Sequence, residues 1–136
     1  ISTKLFSDNS KSTDKNAILI LDLSRSMWGK IDETSKVVIA RRAISKMLDE
    51  WDKNTKLGVM VYGSRHRNSC KDIQTLSEVR RVDRRRIMKM LTRIRPVGRT
   101  PLTASVKLAA SKLKSKNAAA TIILVSDGID NCGLNS

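Results

Sequence analysis

The sequence predicts an α/β domain built on an open, mostly parallel sheet flanked by helices. Three observations carry that reading. Residues 17–21 are continuously apolar rather than alternating, as expected for a parallel strand covered on both faces, and the largely apolar 57–62 and 121–126 read as further strands. Between them lie longer stretches whose apolar residues recur near a helical period. At 136 residues and 40% hydrophobic composition, the chain can bury a core by itself. Aromatic residues make up only 3%, so that core is aliphatic.

Taken in order, residues 1–15 are polar and charged and read as a lead-in, and residues 16–136 read as one domain. The run 17–21 is the first strand. Residues 35–51 form a helix with Val38, Ala43 or Arg42, Ile44, Met47, Leu48 and Trp51 near helical spacing, and Thr34 or Ser35 can cap it. Residues 57–62 form the second buried strand, closed by Gly63, and 72–76 a short edge strand. Asp83 can cap a helix over 84–94 that turns Ile87, Met90 or Leu91 and Ile94 inward. A helix over 101–114 starts at Pro101, whose missing N–H costs nothing in the first turn, and buries Leu102, Val106, Leu108, Ala109 and Leu113. Residues 121–126 are the last strand. No apolar run approaches the roughly 18 residues of a membrane span, and residues 1–15 contain no signal-like apolar run, as expected of a mature product.

The chemistry gathers where strands end. Asp22-Leu23-Ser24-Arg25-Ser26 leaves the first strand with a carboxylate and two hydroxyls at alternate positions, which an extended chain places on one side. Gly98-Arg99-Thr100-Pro101-Leu102 precedes a helix, and Ser126-Asp127-Gly128 ends another strand. In open α/β sheets, ligands bind at the carboxyl ends of strands, where Asp22 and Asp127 both fall. Hydroxyls and carboxylates are hard donors that suit Mg²⁺, Mn²⁺ or Ca²⁺, not zinc or copper. Asp22, Ser24, Ser26, Thr100 and Asp127 are therefore candidate metal ligands, and Gly98 lets the Thr100 loop come close to the cation. Short Ser/Asp strings also serve as turn and cap residues, and that simpler reading stands beside the metal one.

These residues resemble the metal-ion-dependent adhesion site of the von Willebrand factor type A domain, D-x-S-x-S followed by Thr and then Asp, and all five positions match. Ser26-Met27-Trp28-Gly29, Tyr62-Gly63, Cys70-Lys71-Asp72-Ile73 and Ser126-Asp127-Gly128-Ile129 resemble a bacterial, extracytoplasmic branch of that family. Arg25 departs from the Gly most frequent there. The resemblance implies a Rossmann-like sheet and a Mg²⁺, Mn²⁺ or Ca²⁺ ion. The serines bind it directly, Thr directly or through water, and at least one Asp through water. An acidic residue of a protein partner completes the shell. It also implies C-terminal strands that this chain lacks. The edge of strand 121–125 would then be covered by a continuation of the natural protein or by another chain.

Cys70 and Cys132 both fall in loops expected at the metal-bearing edge. Bonded to each other they imply an oxidising compartment, while the family's further cysteines offer Cys132 another partner. Lys and Arg total 27 against 13 acidic residues, a net charge of +14. Arg80, Arg81, Arg84, Arg85 and Arg86 form a candidate anion-binding surface for an acidic polymer, or simply a solvated face. Nucleic acid is disfavoured by the lack of a binding motif and of aromatic platforms. His66, the only histidine, stands among cations in a loop, so no Ser-His-Asp triad can be assembled. Trp28 either shields the metal or packs, Trp51 reads as core, and Asp130 stands as a residue behind the ligands. The expectation is a non-enzymatic module that binds a carboxylate through a divalent cation. Polyanion binding by the basic surface and metal-assisted hydrolysis are the alternatives.

Overall fold

The computed structural model describes residues 2–8, 15–116, 118–128 and 130–132. In chain order the elements are β1 (Ser2–Asp8), β2 (Lys15–Asp22), a 3-10 turn (Arg25–Trp28), β3 (Lys30–Ile31), β4 (Thr34–Ser35) and α1 (Lys36–Asp49). β5 (Thr55–Tyr62), β6 (Ile73–Arg80), α2 (Arg84–Arg93), α3 (Leu102–Lys114) and β7 (Ala119–Ser126) follow. Five strands form one sheet in the order β1-β7-β2-β5-β6. The three apolar runs are its centre: β7, β2 and β5 are mutually parallel, with Leu19 between Val59 and Ile123. Both edges are antiparallel.

Side-chain alternation splits the core into two layers. Leu19, Leu21, Val59, Val61, Ile123 and Val125 face α1 and α2, meeting Val37, Ala40, Ile44, Leu48, Ile87 and Leu91. Ile18, Ile20, Met60, Tyr62, Ile122 and Leu124 face α3, meeting Ala109 and Leu113. β2 is buried on both sides because helices cover both faces, which explains its unbroken apolar run. The α2 cap forms as expected, with Asp83 accepting from the Arg86 N–H. Leu108, expected inside, is 40% exposed, and Ser105 takes the inward position with its hydroxyl bonded to the Pro101 carbonyl. Trp51 packs half-buried against the core and donates to the Thr55 carbonyl.

The edge of β7 is not left open. β1 pairs with it antiparallel from Ser2 opposite Ser126 to Asp8 opposite Ala120. The segment read as a lead-in therefore carries the strand that closes this edge. Edge strands tolerate polar sequence, so composition concealed it. Residues 1 and 9–14 of that segment lie outside the described residues, as do Ile129 and the terminal residues 133–136. A second unforeseen element is the β3–β4 hairpin, whose connecting residues Asp32 and Glu33 both have positive φ, as a two-residue primed turn demands. It leads directly into Lys36 at the start of α1.

Cys70 and Cys132 are bonded to each other, 62 residues apart in sequence with Cα atoms at 5.6 Å. The bridge ties the loop before β6 to the loop after β7. Replacing both with serine should lower the unfolding free energy by about 4 kcal/mol in the chain-entropy account, read from guanidinium unfolding. A loss below roughly 1 kcal/mol would show that the bridge constrains little.

Candidate functional site

β2, β5 and β7 end side by side, and each end contributes a polar group. Asp22 closes β2, Tyr62 closes β5 and Ser126 closes β7, all of them buried. A carboxylate in this position needs donors. The Tyr62 hydroxyl donates to Ser126 Oγ at 3.2 Å, Ser126 Oγ donates to Asp22 Oδ2 at 2.7 Å, and the Ser24 N–H donates to Asp22 Oδ1 at 2.8 Å. Burial raises the Asp22 carboxyl above its ordinary range, against the pull of its Ser126 and Ser24 hydrogen bonds. Burial, together with the nearby Asp22 charge, pushes the Tyr62 phenol far above its ordinary value.

The loop leaving β2 carries the hydroxyls outward. Ser24 Oγ and Ser26 Oγ are 3.1 Å apart, and Ser26 Oγ donates to Asp127 Oδ1 at 3.2 Å. Asp127 Oδ2 accepts from Lys36 Nζ at 2.8 Å. Burial opposes the charge on Asp127, but Lys36 and Ser26 outweigh it and hold its carboxyl below the ordinary range. Thr100 reaches the same place from the α3 side. A β-carbon on Gly128 would lie 3.4 Å from both Asp22 Oδ2 and Thr100 Cγ2. The five residues singled out in the sequence thus meet at one pole of the sheet. The group consists of two carboxylates with hydroxyls, and among the described residues no three His, Cys, Asp or Glu side chains cluster as they would around a metal ion.

Backbone contacts position these groups. Ser24 bridges Gly98, the Arg25 N–H donates to the Gly98 carbonyl, and the Gly98 N–H donates to the Gly63 carbonyl. A β-carbon on Gly98 would lie 2.5 Å from the His66 carbonyl oxygen, so the crossing of the loops there requires glycine. Gly63, with φ of +80°, turns the chain there. Asn131 Oδ1 accepts the Thr100 N–H at 2.9 Å. Asp130 accepts the Thr103 and Cys132 N–H groups, which places it at the start of α3 as a cap. Asn131 and Lys36 gave no sequence signal, since their partners lie 31 and 91 residues away.

The loop between β5 and β6 is folded around Asp72, whose carboxylate accepts the N–H groups of Arg65 and His66 at 2.8 and 2.7 Å and the Arg65 Nε at 3.0 Å. The side chain is fully buried. His66 is an exposed loop residue held by its backbone. Trp28 is 45% exposed and donates to the Pro96 carbonyl, which fixes it against the neighbouring loop.

Ser24, Arg25, Ser26, Arg67, Asn68, Gly98, Arg99, Thr100 and Asn131 line a pocket of about 280 Å³ at this pole. The arginine run lies elsewhere. Arg80 pairs with Leu57, at the opposite end of β5 from Tyr62, and α2 begins there. Arg84 pairs with Asp49 at 2.7 Å, Arg86 donates to Ser77 Oγ, and Arg80, Arg81 and Arg85 are exposed.

Burial opposes the Asp72 charge too, but the His66 and Arg65 N–H groups and the Arg65 guanidinium outweigh it and lower its pKa. A lowered native pKa contributes stability that is complete above the ordinary value near 3.8 and is lost as pH falls through the native one. Asp72→Asn should therefore cost roughly 2 kcal/mol at pH 7, with the gap to wild type narrowing below the ordinary carboxylate range. Urea unfolding at pH 7 and pH 3 measures this, and a gap independent of pH would show that charge is not what Asp72 contributes.

The comparisons agree with this architecture. The sequence matches the von Willebrand factor type A domain over residues 17–129. It is 29% identical over 129 residues to the uncharacterized protein YwmC of Bacillus subtilis (strain 168), covering 88% of this chain and 57% of that protein. Among solved structures, it resembles an aerotolerance-related membrane protein from Bacteroides fragilis NCTC 9343, with a TM-score of 0.59 and 27% identity over 72% of this chain and 46% of that one. It shares its fold with the SpRpn10 VWA domain, with a TM-score of 0.54 and 16% identity over 74% of this chain and 51% of that one. Layer order, strand topology and sequence match agree: this chain belongs to the von Willebrand factor type A domain family.

Proposed function

We propose that this domain is a divalent-cation-dependent protein-binding module, not an enzyme, which captures an acidic residue of a partner through a metal-ion-dependent adhesion site. The observation that carries the reading is the run of oxygens from Ser24 through Ser26 to Asp127 beside the buried Asp22. Its links of 3.1 and 3.2 Å are close to the edge of roughly 3 Å expected for an octahedron around a Mg²⁺- or Mn²⁺-sized ion with oxygen ligands at about 2.1 Å. Ser24, Ser26 and Thr100 would supply neutral oxygens and Asp22 and Asp127 the charges, with Ca²⁺ a less snug alternative. The cation, when bound, supplies an electrophilic site for a carboxylate oxygen. His66 is not among the described residues that line the pocket.

The surroundings suit an acidic protein. Arg25, Arg67 and Arg99 line the pocket beside the hydroxyls. Trp28 and Ile31, 45% and 41% exposed, stand on the same loop and offer the apolar contact typical of interfaces. The disulfide favours an extracytoplasmic setting, as does the likeness to a bacterial membrane protein. No helix among the described residues is long and apolar enough to cross a membrane.

A poly-L-glutamate-coated sensor tests the reading. The domain should bind in Mg²⁺ and be released by chelation, and Thr100→Ala and Asp127→Asn should each lose at least about tenfold in affinity, the effect of removing one charge-assisted ligand. Binding that survives chelation, falls steeply with salt and is lost on neutralising Arg80, Arg81 and Arg85 would replace this reading with polyanion binding by the opposite pole.

A further inference from the structure

Among the described residues, only one of the two carboxylates at the site carries an ion pair. Asp22 is answered by neutral donors, the Ser24 N–H and the Ser126 hydroxyl, whereas Asp127 Oδ2 holds the Lys36 ammonium at 2.8 Å. The Asp127 side chain is 5% exposed and that of Lys36 27%, so the pair is shielded from water more than an ordinary surface bridge. Lys36 is also held by its backbone. Its N–H donates to the Gly29 carbonyl at 2.8 Å, and a β-carbon on Gly29 would lie 3.6 Å from Lys36 Cε and Nζ, so the side chain runs close along the loop that carries Ser26.

Helix formation does not explain a lysine at this position. Lys36 is the first residue of α1, where the helix dipole disfavours a cation, the first turn has no acidic residue to offset it, and Ser35 makes no side-chain cap. The ammonium is where it is because Asp127 is there.

We infer that Lys36 is a built-in counter-ion of the site, competing with the divalent cation for Asp127 and holding cation affinity low. The inference rests on the cation-binding reading above. Counting only Asp22, Asp127 and Lys36, two formal negative charges face one positive, so this trio carries −1 at rest and +1 once a divalent ion is present. Without Lys36 those values become −2 and 0. The lysine thus weakens the hold on the ion while leaving the loaded site electropositive, ready for a ligand carboxylate. An ion using Asp127, directly or through water, comes within several Å of the ammonium. Even with water-like screening, that repulsion amounts to about tenfold in affinity.

Mn²⁺ binding to the 136-residue chain, followed by loss of the free-ion electron paramagnetic resonance signal, tests this in wild type, Lys36→Gln and Lys36→Arg. Lys36→Gln should bind roughly tenfold tighter and show a larger Mn²⁺-induced rise in melting temperature, while Lys36→Arg, which keeps the charge, stays near wild type. Lys36→Met, preserving the apolar stem, replaces the Gln variant if circular dichroism shows that one unfolded. If wild type binds Mn²⁺ and the neutral variants bind it no more tightly, the counter-ion role is overturned and the cation reading stands. If only the neutral variants bind, the lysine dominates the site as inferred. If none binds, the cation reading falls and the inference with it.

Discussion

A carboxylate buried at the end of the central strand is the constraint around which this pole of the molecule is organised. Asp22 sits where β2 leaves the sheet, and an ionised carboxylate there without partners would cost several kcal/mol. Its neighbours in the sheet supply what it needs: Ser126 from β7 donates to it and is in turn bonded by Tyr62 from β5. The three parallel strands are therefore tied at their ends by one chain of hydrogen bonds. Parallel pairing makes this arrangement available, because it brings three strand ends, and three outgoing loops, to the same edge of the sheet.

The outgoing loops then lock one another. The chain reverses at Gly63 and passes within contact of Gly98, and the Val97 N–H reaches the carbonyls of both Leu23 and Gly63. The loop carrying Ser24 and Ser26 is thus held by backbone contacts from two other segments, and the Thr100 loop is held by Asn131. The bond between Cys70 and Cys132 fastens the outer two of these loops together. Hydroxyls placed on such a frame lose little conformational freedom when they engage a ligand, which is the condition for a preorganised site.

The sequence made the centre of the fold legible because strands covered on both faces must be apolar at every position, as residues 17–21 are. It made the convergence of Asp22, Ser24, Ser26, Thr100 and Asp127 legible because the residue types and their positions at strand ends are local. What it hid is long-range or conformational. β1 is visible only through its pairing with β7, the β3–β4 hairpin depends on two non-glycine residues in a left-handed conformation, and the Lys36–Asp127 pair joins residues 91 apart. Leu108 shows the limit of periodicity: helical spacing marks it as core, yet α3 turns Ser105 inward and satisfies its hydroxyl with the Pro101 carbonyl. The arginine run is legible as charge, but only the strand register assigns it to the end of the sheet away from Asp22.

That register separates two kinds of basic surface. A net charge of +14 exerts a field on any polyanion, and the run from Arg80 to Arg86 concentrates it at the far end. There Arg84 and Arg86 are already engaged by Asp49 and Ser77. At the site end, Lys36 holds Asp127, and Arg25, Arg67 and Arg99 line the neighbouring pocket among hydroxyls and amides. Diffuse charge at a distance raises encounter rates and fades with salt. Charge set within contact of aligned oxygens selects by geometry instead, since only a ligand oxygen at the right point completes the array. On the proposed cation-dependent function, recognition at this pole would depend on where the charges stand, while the far pole would contribute only their sum.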